Sequence, residues 1–278
     1  MKIEHDFHLH THLSVCGQDD ATIENYMRSA KELGIKKIGI ADHMWDAKVP
    51  FVESMRHSRA AGGGEVVLNW YRRQDIAHCR EILAELEQVD TTGVEFFFGG
   101  EVDYCPGVGA AITLEEAEKL AFMTVPNSHT HHLMDTKDYE PKEKHAEFML
   151  RAGMEICTAP TAKYVTALAH PFDATLPPYS PAELMEVITD SQLAEVFCAA
   201  KENNIAAEIN VSCYNGCPDD QLQNHYMTRI LKVAKDCGCT FTFGSDSHDA
   251  KGQYVLTRGP MIADLLGITE EDLHPAVR

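Results

Sequence analysis

The sequence has no apolar run approaching the ~18 residues of a membrane span, and no basic segment leading into an apolar stretch near its start. A cytoplasmic protein without a membrane partner is the expectation. It is also short of basic residues: 24 Lys and Arg stand against 43 Asp and Glu, a formal charge of −19. Phosphate backbones are gripped by clusters of Lys and Arg, so nucleic acid is not expected as a partner. Paired C-x2-C spacings are missing too. The 9 Cys are odd in number and scattered, unlike a secreted disulfide framework. Cys213-x3-Cys217 and Cys237-x-Cys239 therefore read as reduced thiols before they read as structural zinc sites. No internal repeat, extended low-complexity segment or convincing linker divides the chain; the Gly-Gly-Gly at 62–64 is too short for one. A single large α/β domain over residues 1–278 is expected, and a homo-oligomer stays open.

What the sequence does have is histidine at recurring places. Short apolar runs alternate with longer amphipathic segments, predicting strands at 3–8, 36–41, 94–99, 121–126, 165–169, 205–209 and 240–243. Helices are predicted at 23–33, 71–89, 115–120, 141–157, 181–203 and 221–237. Thr22 can cap the first helix and Gly34 stop it, while Ser180-Pro181 reads as an N-cap followed by proline at the first helical position. This alternation predicts a parallel sheet with helices outside.

Each predicted strand runs into a metal-ligating residue type. The first is followed by His8, His10 and His12, the second by Asp42 and His43, the third by Glu101 and Asp103. The fourth leads to His129, His131 and His132, the fifth to His170, the sixth to Glu208 and Asn210, the seventh to Asp246 and His248. Nine of the 15 His fall at such ends. Barrel enzymes build their sites at the C-terminal ends of strands, and imidazoles mixed with carboxylates suit transition metals. His8 and His10 would share one strand face, about 7 Å apart along it. His5, His57, His78, His145, His225 and His274 read instead as ordinary polar loop residues.

Together these residues resemble a known family. His8-Leu9-His10-Thr11, Ala41-Asp42-His43, Gly100-Glu101-Val102-Asp103-Tyr104, Ala169-His170-Pro171, Glu208-Ile209-Asn210 and Gly244-Ser245-Asp246-Ser247-His248 are similar, in order, to the motifs of the PHP (polymerase and histidinol phosphatase) superfamily. The resemblance spans roughly residues 3–250. It implies a distorted (β/α)7 TIM-like barrel holding two or three divalent metals at the C-terminal ends of its strands. It also implies that His8, His10 and Asp246 bind the first metal, and that Glu101 bridges to a second held by His131 and His170. A third would take His43 and His248. His129 is the rival of His131, since the family pattern Ser-x-His-His fits Thr130-His131-His132-Leu133 without settling which ring ligates. Many relatives have His where this chain has Cys16; others have a Ser-Pro-Cys-Gly turn, which Leu13-Ser14-Val15-Cys16-Gly17 resembles. Cys16 is then a third-site ligand or an inert thiol.

Two features depart from the pattern. The histidinol phosphatase branch continues after its sixth-strand motif with a basic pair, whereas this chain reads Val211-Ser212-Cys213-Tyr214-Asn215. The segment 47–73, with Arg56, Arg59, Arg72 and Arg73, is a long insertion and a candidate lid.

The chemistry expected of such a site is hydrolysis of a small phosphorylated metabolite, a monoester or a cyclic or diester, by a metal-activated hydroxide. Zinc is favoured by the soft ligands, and manganese or iron is admitted by the carboxylates. Asp246 and His248 are the candidate proton donors to the leaving group, Arg258 and Lys251 the candidate phosphate clamp. Asp6, Asp42 and Asn210 would fix imidazole tautomers. Alternatives are an amidohydrolase-type metal hydrolase, which would want a strand-end Lys that is not found, and a 3′-exonuclease-like phosphodiesterase, which the acidic charge opposes.

Overall fold

A computed structural model of the chain describes residues 1–49, 73–133, 140–174 and 179–278. Most of the insertion at 47–73, including Arg56, Arg59, Arg72 and the neighbouring His57, lies outside the described residues.

The seven predicted strands all form, each within two or three residues of its expected bounds. They are β1 His5–Leu9, β2 Lys37–Ile40, β4 Glu95–Val102, β7 Phe122–Pro126, β8 Ala167–Ala169, β9 Ala206–Asn210 and β10 Phe241–Gly244. Three short strands were not anticipated: β3 His43–Met44, and the antiparallel pair β5 Tyr104–Cys105 and β6 Gly109–Ala110. The parallel order is β1-β2-β4-β7-β8-β9-β10, with β3 added alongside β4. Both faces of this sheet are covered, so β1, β7, β9 and β10 are buried along their whole length, and β4 over its C-terminal half.

The barrel closes between β1 and β10 by an irregular seam. Among the described residues the ladder there is reduced to an isolated parallel bridge, from Leu9 to Ser247, three residues past the end of β10. Side chains do the rest: Phe243 N donates to His5 Nε2 at 2.8 Å, and Ser245 N to Asp6 Oδ1 at 2.9 Å. These two β1 side chains satisfy backbone donors that a regular ladder would have paired. His5 is thus a buried acceptor in a strand and not a loop residue. His145 is likewise buried, within the helix Lys142–Thr158, with Nε2 2.7 Å from Thr130 Oγ1.

Helix signals hold where capping chemistry fixes them. Thr22 accepts from Asn25 N and Gly34 ends the helix Ile23–Leu33 at φ 73°. Ser180 closes a capping box with Glu183 ahead of Pro181. The predicted helix 181–203 is in fact two, Pro181–Met185 and Asp190–Glu202, because a second capping box, Thr189 with Gln192, starts the latter. The helix Gly259–Leu266 was not foreseen. Among the described residues no helix is long and apolar enough to cross a membrane.

Candidate metal centre

The C-terminal ends of the strands bring the predicted ligands to one cavity of about 220 Å³. Its wall is formed by His10, Cys16, His43, Glu101, His129, His131, His170, Asp173, Asp246 and His248. Strand alternation puts Asp6 and His8 on one face of β1, His10 continues that alternation one residue past its end, and the two imidazole Nε2 atoms lie 3.2 Å apart. The short strand β3 pairs with β4 so that His43 stands opposite Glu101, while Glu101 pairs on its other side with Thr124. His170 and Asp246 take positive φ, 22° and 52°, just past the ends of β8 and β10. Such backbone is disfavoured for a residue with a side chain, and it recurs at functional positions.

Glu101 is the hub. Ring nitrogens of His43 and His170 lie 2.9 Å from its carboxylate oxygens, and those of His8, His10 and His129 lie 3.6 Å away. His43 Nδ1 sits at this distance without hydrogen-bond geometry and is buried without another partner, as is His10 Nδ1. Burial alone would favour a protonated Glu101, but the rings of His129, His43 and His8 overcome it and hold the carboxyl well below its usual range. Asp246 behaves alike: burial is outweighed by His8 and His10, the latter 3.1 Å away.

The rings show the converse. Burial pulls His8 down, yet Glu208, Asp246 and Glu101 raise its pKa well above the ordinary value. His10 is raised to about 9 against burial, by Cys16 and Asp246. The Cys16 thiol is lowered to about 2: burial opposes this, and the rings of His10, His43 and His248 prevail. The cluster is therefore short of positive charge, and a cation among these donors would supply it.

Donor groupings follow from distance. Within 4.8 Å of one another lie ligand atoms of His8, His10 and Asp246; of His8, Glu101 and His170; of His10, His43 and Glu101; of His10, Cys16 and His248; and of His43, Asp103 and His129. The expected first-metal set is brought together whole. Cys16 and His248, expected with His43 at a third site, form a trio with His10 instead, and His43 falls in trios with His10 and Glu101 and with Asp103 and His129. His131 faces the same cavity, its ring 5.4 Å from that of His129, but among the described residues it joins no such trio. His129 joins only a trio with His43 and Asp103, but it has a ligand's posture: Nδ1 is 3.1 Å from Asp103 Oδ1, which orients the ring and leaves Nε2 turned toward Glu101.

Several roles that the sequence left unassigned become clear. Glu208 accepts from His8 Nδ1 at 2.6 Å and from His170 N at 2.7 Å, so it orients one ring and anchors the backbone of another. Asp103 does the same for His129. Each makes a carboxylate–histidine pair of the kind that fixes the tautomer of a metal-binding imidazole. The signal was a charged residue within the wholly buried β9, where it must have a partner. Gly244 is required beside it, since a Cβ there would stand 2.3 Å from Glu208 Oε1 and 2.5 Å from His8 Cβ.

Other expectations are corrected. Asp6 and Asp42 hold loops and not rings: Asp6 accepts from Ser245 N and Oγ, Asp42 from Thr11 N and Oγ1. Asn210 orients a carboxylate instead, donating to Asp246 Oδ2 at 3.1 Å. Arg258 is turned away from the cavity and spends its guanidinium on Tyr214 O, Cys217 O and Asp219. Lys251 lines a different surface cavity, beside Arg28 and Tyr254. Neither is placed to clamp a phosphate in the histidine-lined cavity.

The fold and the donor set define a strand-end metal-binding barrel. A model of the PHP domain family matches residues 6–212, most of the chain, and the protein belongs to that family. No curated protein matches it by sequence. Among solved structures it is similar to a histidinol phosphatase assigned in Listeria monocytogenes, at a TM-score of 0.57 and 14% identity over 89% of this chain and 96% of that one. It is also similar to histidinol phosphate phosphatase from Lactococcus lactis, at 0.59 and 16% over 96% and 94%; that structure holds zinc, L-histidinol and phosphate.

Proposed function

We propose that this protein is a metal-dependent phosphoesterase acting on a small phosphorylated metabolite. The observation that carries the reading is the array of five imidazoles around the single buried carboxylate of Glu101, with Asp246 and Cys16 beside it. Mixed imidazole, carboxylate and thiol donors suit zinc, and also iron or manganese, in two or three sites. His8, His10 and Asp246 would hold one ion, Glu101 and His170 with His129 or His131 a second, and His43, His248 and Cys16 a third. Divalent ions bound there would activate water and neutralise phosphoryl charge. His248 donates Nδ1–H to Asp246 O at 2.8 Å, which turns its Nε2 lone pair toward Cys16 and His10. That posture suits ligation better than proton donation. Asp246, held ionised and bonded by Asn210, is likewise a ligand first.

Family membership and the phosphate and zinc in the L. lactis structure support the phosphoesterase reading. The acidic charge fits a small substrate and not nucleic acid, and among the described residues the cavity wall has no Lys of the amidohydrolase kind. A cytoplasmic protein, free of the membrane, accords with the reading. The test is elemental analysis of protein purified without chelator, beside phosphate release from p-nitrophenyl phosphate and a panel of mono- and diesters with added Mn²⁺ or Zn²⁺. Two to three ions and metal-dependent release are expected. Bound metal with no turnover on any ester would overturn the reaction, and no metal after reconstitution would overturn the site.

A further inference from the structure

Three of the 9 Cys meet at the opposite end of the barrel from the metal centre. Cys237 follows the helix Tyr226–Asp236 and Cys239 precedes β10, so both lie where that strand begins, whereas the metal donors lie where strands end. Both reach the flank of the helix Asp190–Glu202, which carries Cys198. Cys237 Sγ donates to Ala194 O at 3.7 Å, and Cys239 Sγ to Phe197 O at 3.2 Å.

Ala194 O lies one turn before Cys198 and is the carbonyl that accepts the Cys198 N–H in a regular helix. Cα–Cβ bonds of a helix tilt toward its N-terminus, so the Cys198 side chain leans over that same turn, toward Cys237. The two thiols come within hydrogen-bonding reach, and burial together with this contact pushes Cys237 up to about 11. Exposure separates their roles: Cys198 is exposed, Cys237 half-buried and Cys239 buried. Burial and the two neighbouring thiols push Cys239 up to about 12, which keeps it protonated and out of exchange. Among the described residues the three sulfurs form no donor trio of the kind found at the metal centre. A bond between two of them fits that placement better than an ion held by all three.

We propose that Cys198 and Cys237 are a reversible thiol–disulfide site, oxidised by low-molecular-weight disulfides of the glutathione class. The exposed Cys198 thiolate attacks one sulfur of the small disulfide, forming a mixed disulfide and expelling one small thiolate. Cys237 then gives its proton to solvent and attacks Cys198 Sγ, expelling the second. Two protein thiols lose two electrons and two protons, and the small disulfide takes them up as two thiols. Capping Cys198 removes its charge, and with it the part of the rise on Cys237 that this neighbour causes, so Cys237 ionises more readily for its own attack. The bond ties the helix Asp190–Glu202 to the start of β10 and closes a loop around β9, which carries Glu208.

The test incubates protein purified without chelator with oxidised glutathione, quenches with acid, and maps the thiols by alkylation and mass spectrometry. The native protein should lose both free thiols to a linked 198–237 peptide, keep no glutathione on either, and recover both thiols in dithiothreitol. Cys237→Ser cannot resolve the intermediate, so it should retain glutathione on Cys198. Metal content should be the same in Cys198→Ser as in the native protein. Glutathione that persists on Cys198 in the native protein overturns the proposal, and so do Cys198 and Cys237 that both stay alkylatable at equilibrium. A link from either to Cys239, in protein shown folded by circular dichroism, overturns the pairing. Loss of one ion per chain in Cys198→Ser would assign the thiols to a metal and overturn it too.

Discussion

Replacing Glu208 by Gln tests the claim that buried carboxylates aim the ligand rings. Both oxygens of Glu208 accept, one from His8 Nδ1 at 2.6 Å and the other from His170 N at 2.7 Å. Glutamine is nearly the same shape but offers only one accepting end. If its oxygen keeps the His170 N–H, its amide N–H faces His8 Nδ1. His8 must then shed that proton and carry it on Nε2, the atom that points to His10 and Asp246. A ring protonated on Nε2 cannot ligate there. If the oxygen turns to His8 instead, a buried backbone N–H on His170 is left facing a donor.

Either way one hydrogen bond to a charged group is lost, about 1.5–3 kcal/mol. At 1.4 kcal/mol per factor of ten, that weakens metal binding roughly 10- to 150-fold. This overlaps the loss of about 10- to 100-fold typical when a ligand's supporting partner is removed. The assay is competition against a chromophoric zinc chelator at pH 7.5, with circular dichroism to confirm the fold. Zinc affinity unchanged within about threefold, in a folded variant, would refute the orienting role. Glu208 would then be only a buried partner of His170 N.

Cys16→Ser removes the thiolate next to His10, His43 and His248, and metal content measured by mass spectrometry should fall by about one ion per chain. Unchanged content would mean that Cys16 is inert. His129→Ala should release metal more readily than His131→Ala, because His129 has the orienting carboxylate Asp103 and turns its Nε2 toward Glu101; the reverse order would return the ligand role to His131. For His5, burial lowers the pKa from 6.5 to about 3. Its neutral form therefore adds stability that is full above pH 6.5 and is lost as pH falls toward 3, about 2 kcal/mol by pH 5. In chelator, His5→Gln, which can still accept from Phe243 N, should lose stability less steeply between pH 7 and 5 in urea melts. Parallel slopes would refute it.

The candidate ligands other than Cys16 were legible because each interrupts an apolar run at the same place, at or just past the end of a strand. Asp246 and His10 needed only that reading and the pleat. The roles of Glu208 and Asp103 were not legible, because a buried carboxylate that binds metal and one that binds a ligand's other nitrogen look the same in sequence. The seam residues His5 and Asp6 escaped for a different reason. Their work depends on β1 and β10 failing to form a regular ladder, which is a property of barrel closure and not of either strand alone. Arg258 misled because position after the seventh strand carries no direction. The 3-10 turn Gly252–Arg258 points its guanidinium back at the carbonyls of Tyr214 and Cys217.

Several outer partners converge on one demand. Glu208, Asp103 and the carbonyl of Asp246 can only accept, so His8, His129 and His248 must carry their protons on Nδ1. Each then turns an Nε2 lone pair inward, among carboxylates that burial alone would have neutralised. A proton can join two lone pairs, but it cannot serve five rings gathered around Glu101 together with Asp246. Two or three divalent cations can, because each accepts several lone pairs at once and carries two positive charges in a small volume. The rings are aimed from outside with no ion needed to place them, so for ions bound there the outer carboxylates would bear on affinity almost as heavily as the rings they hold.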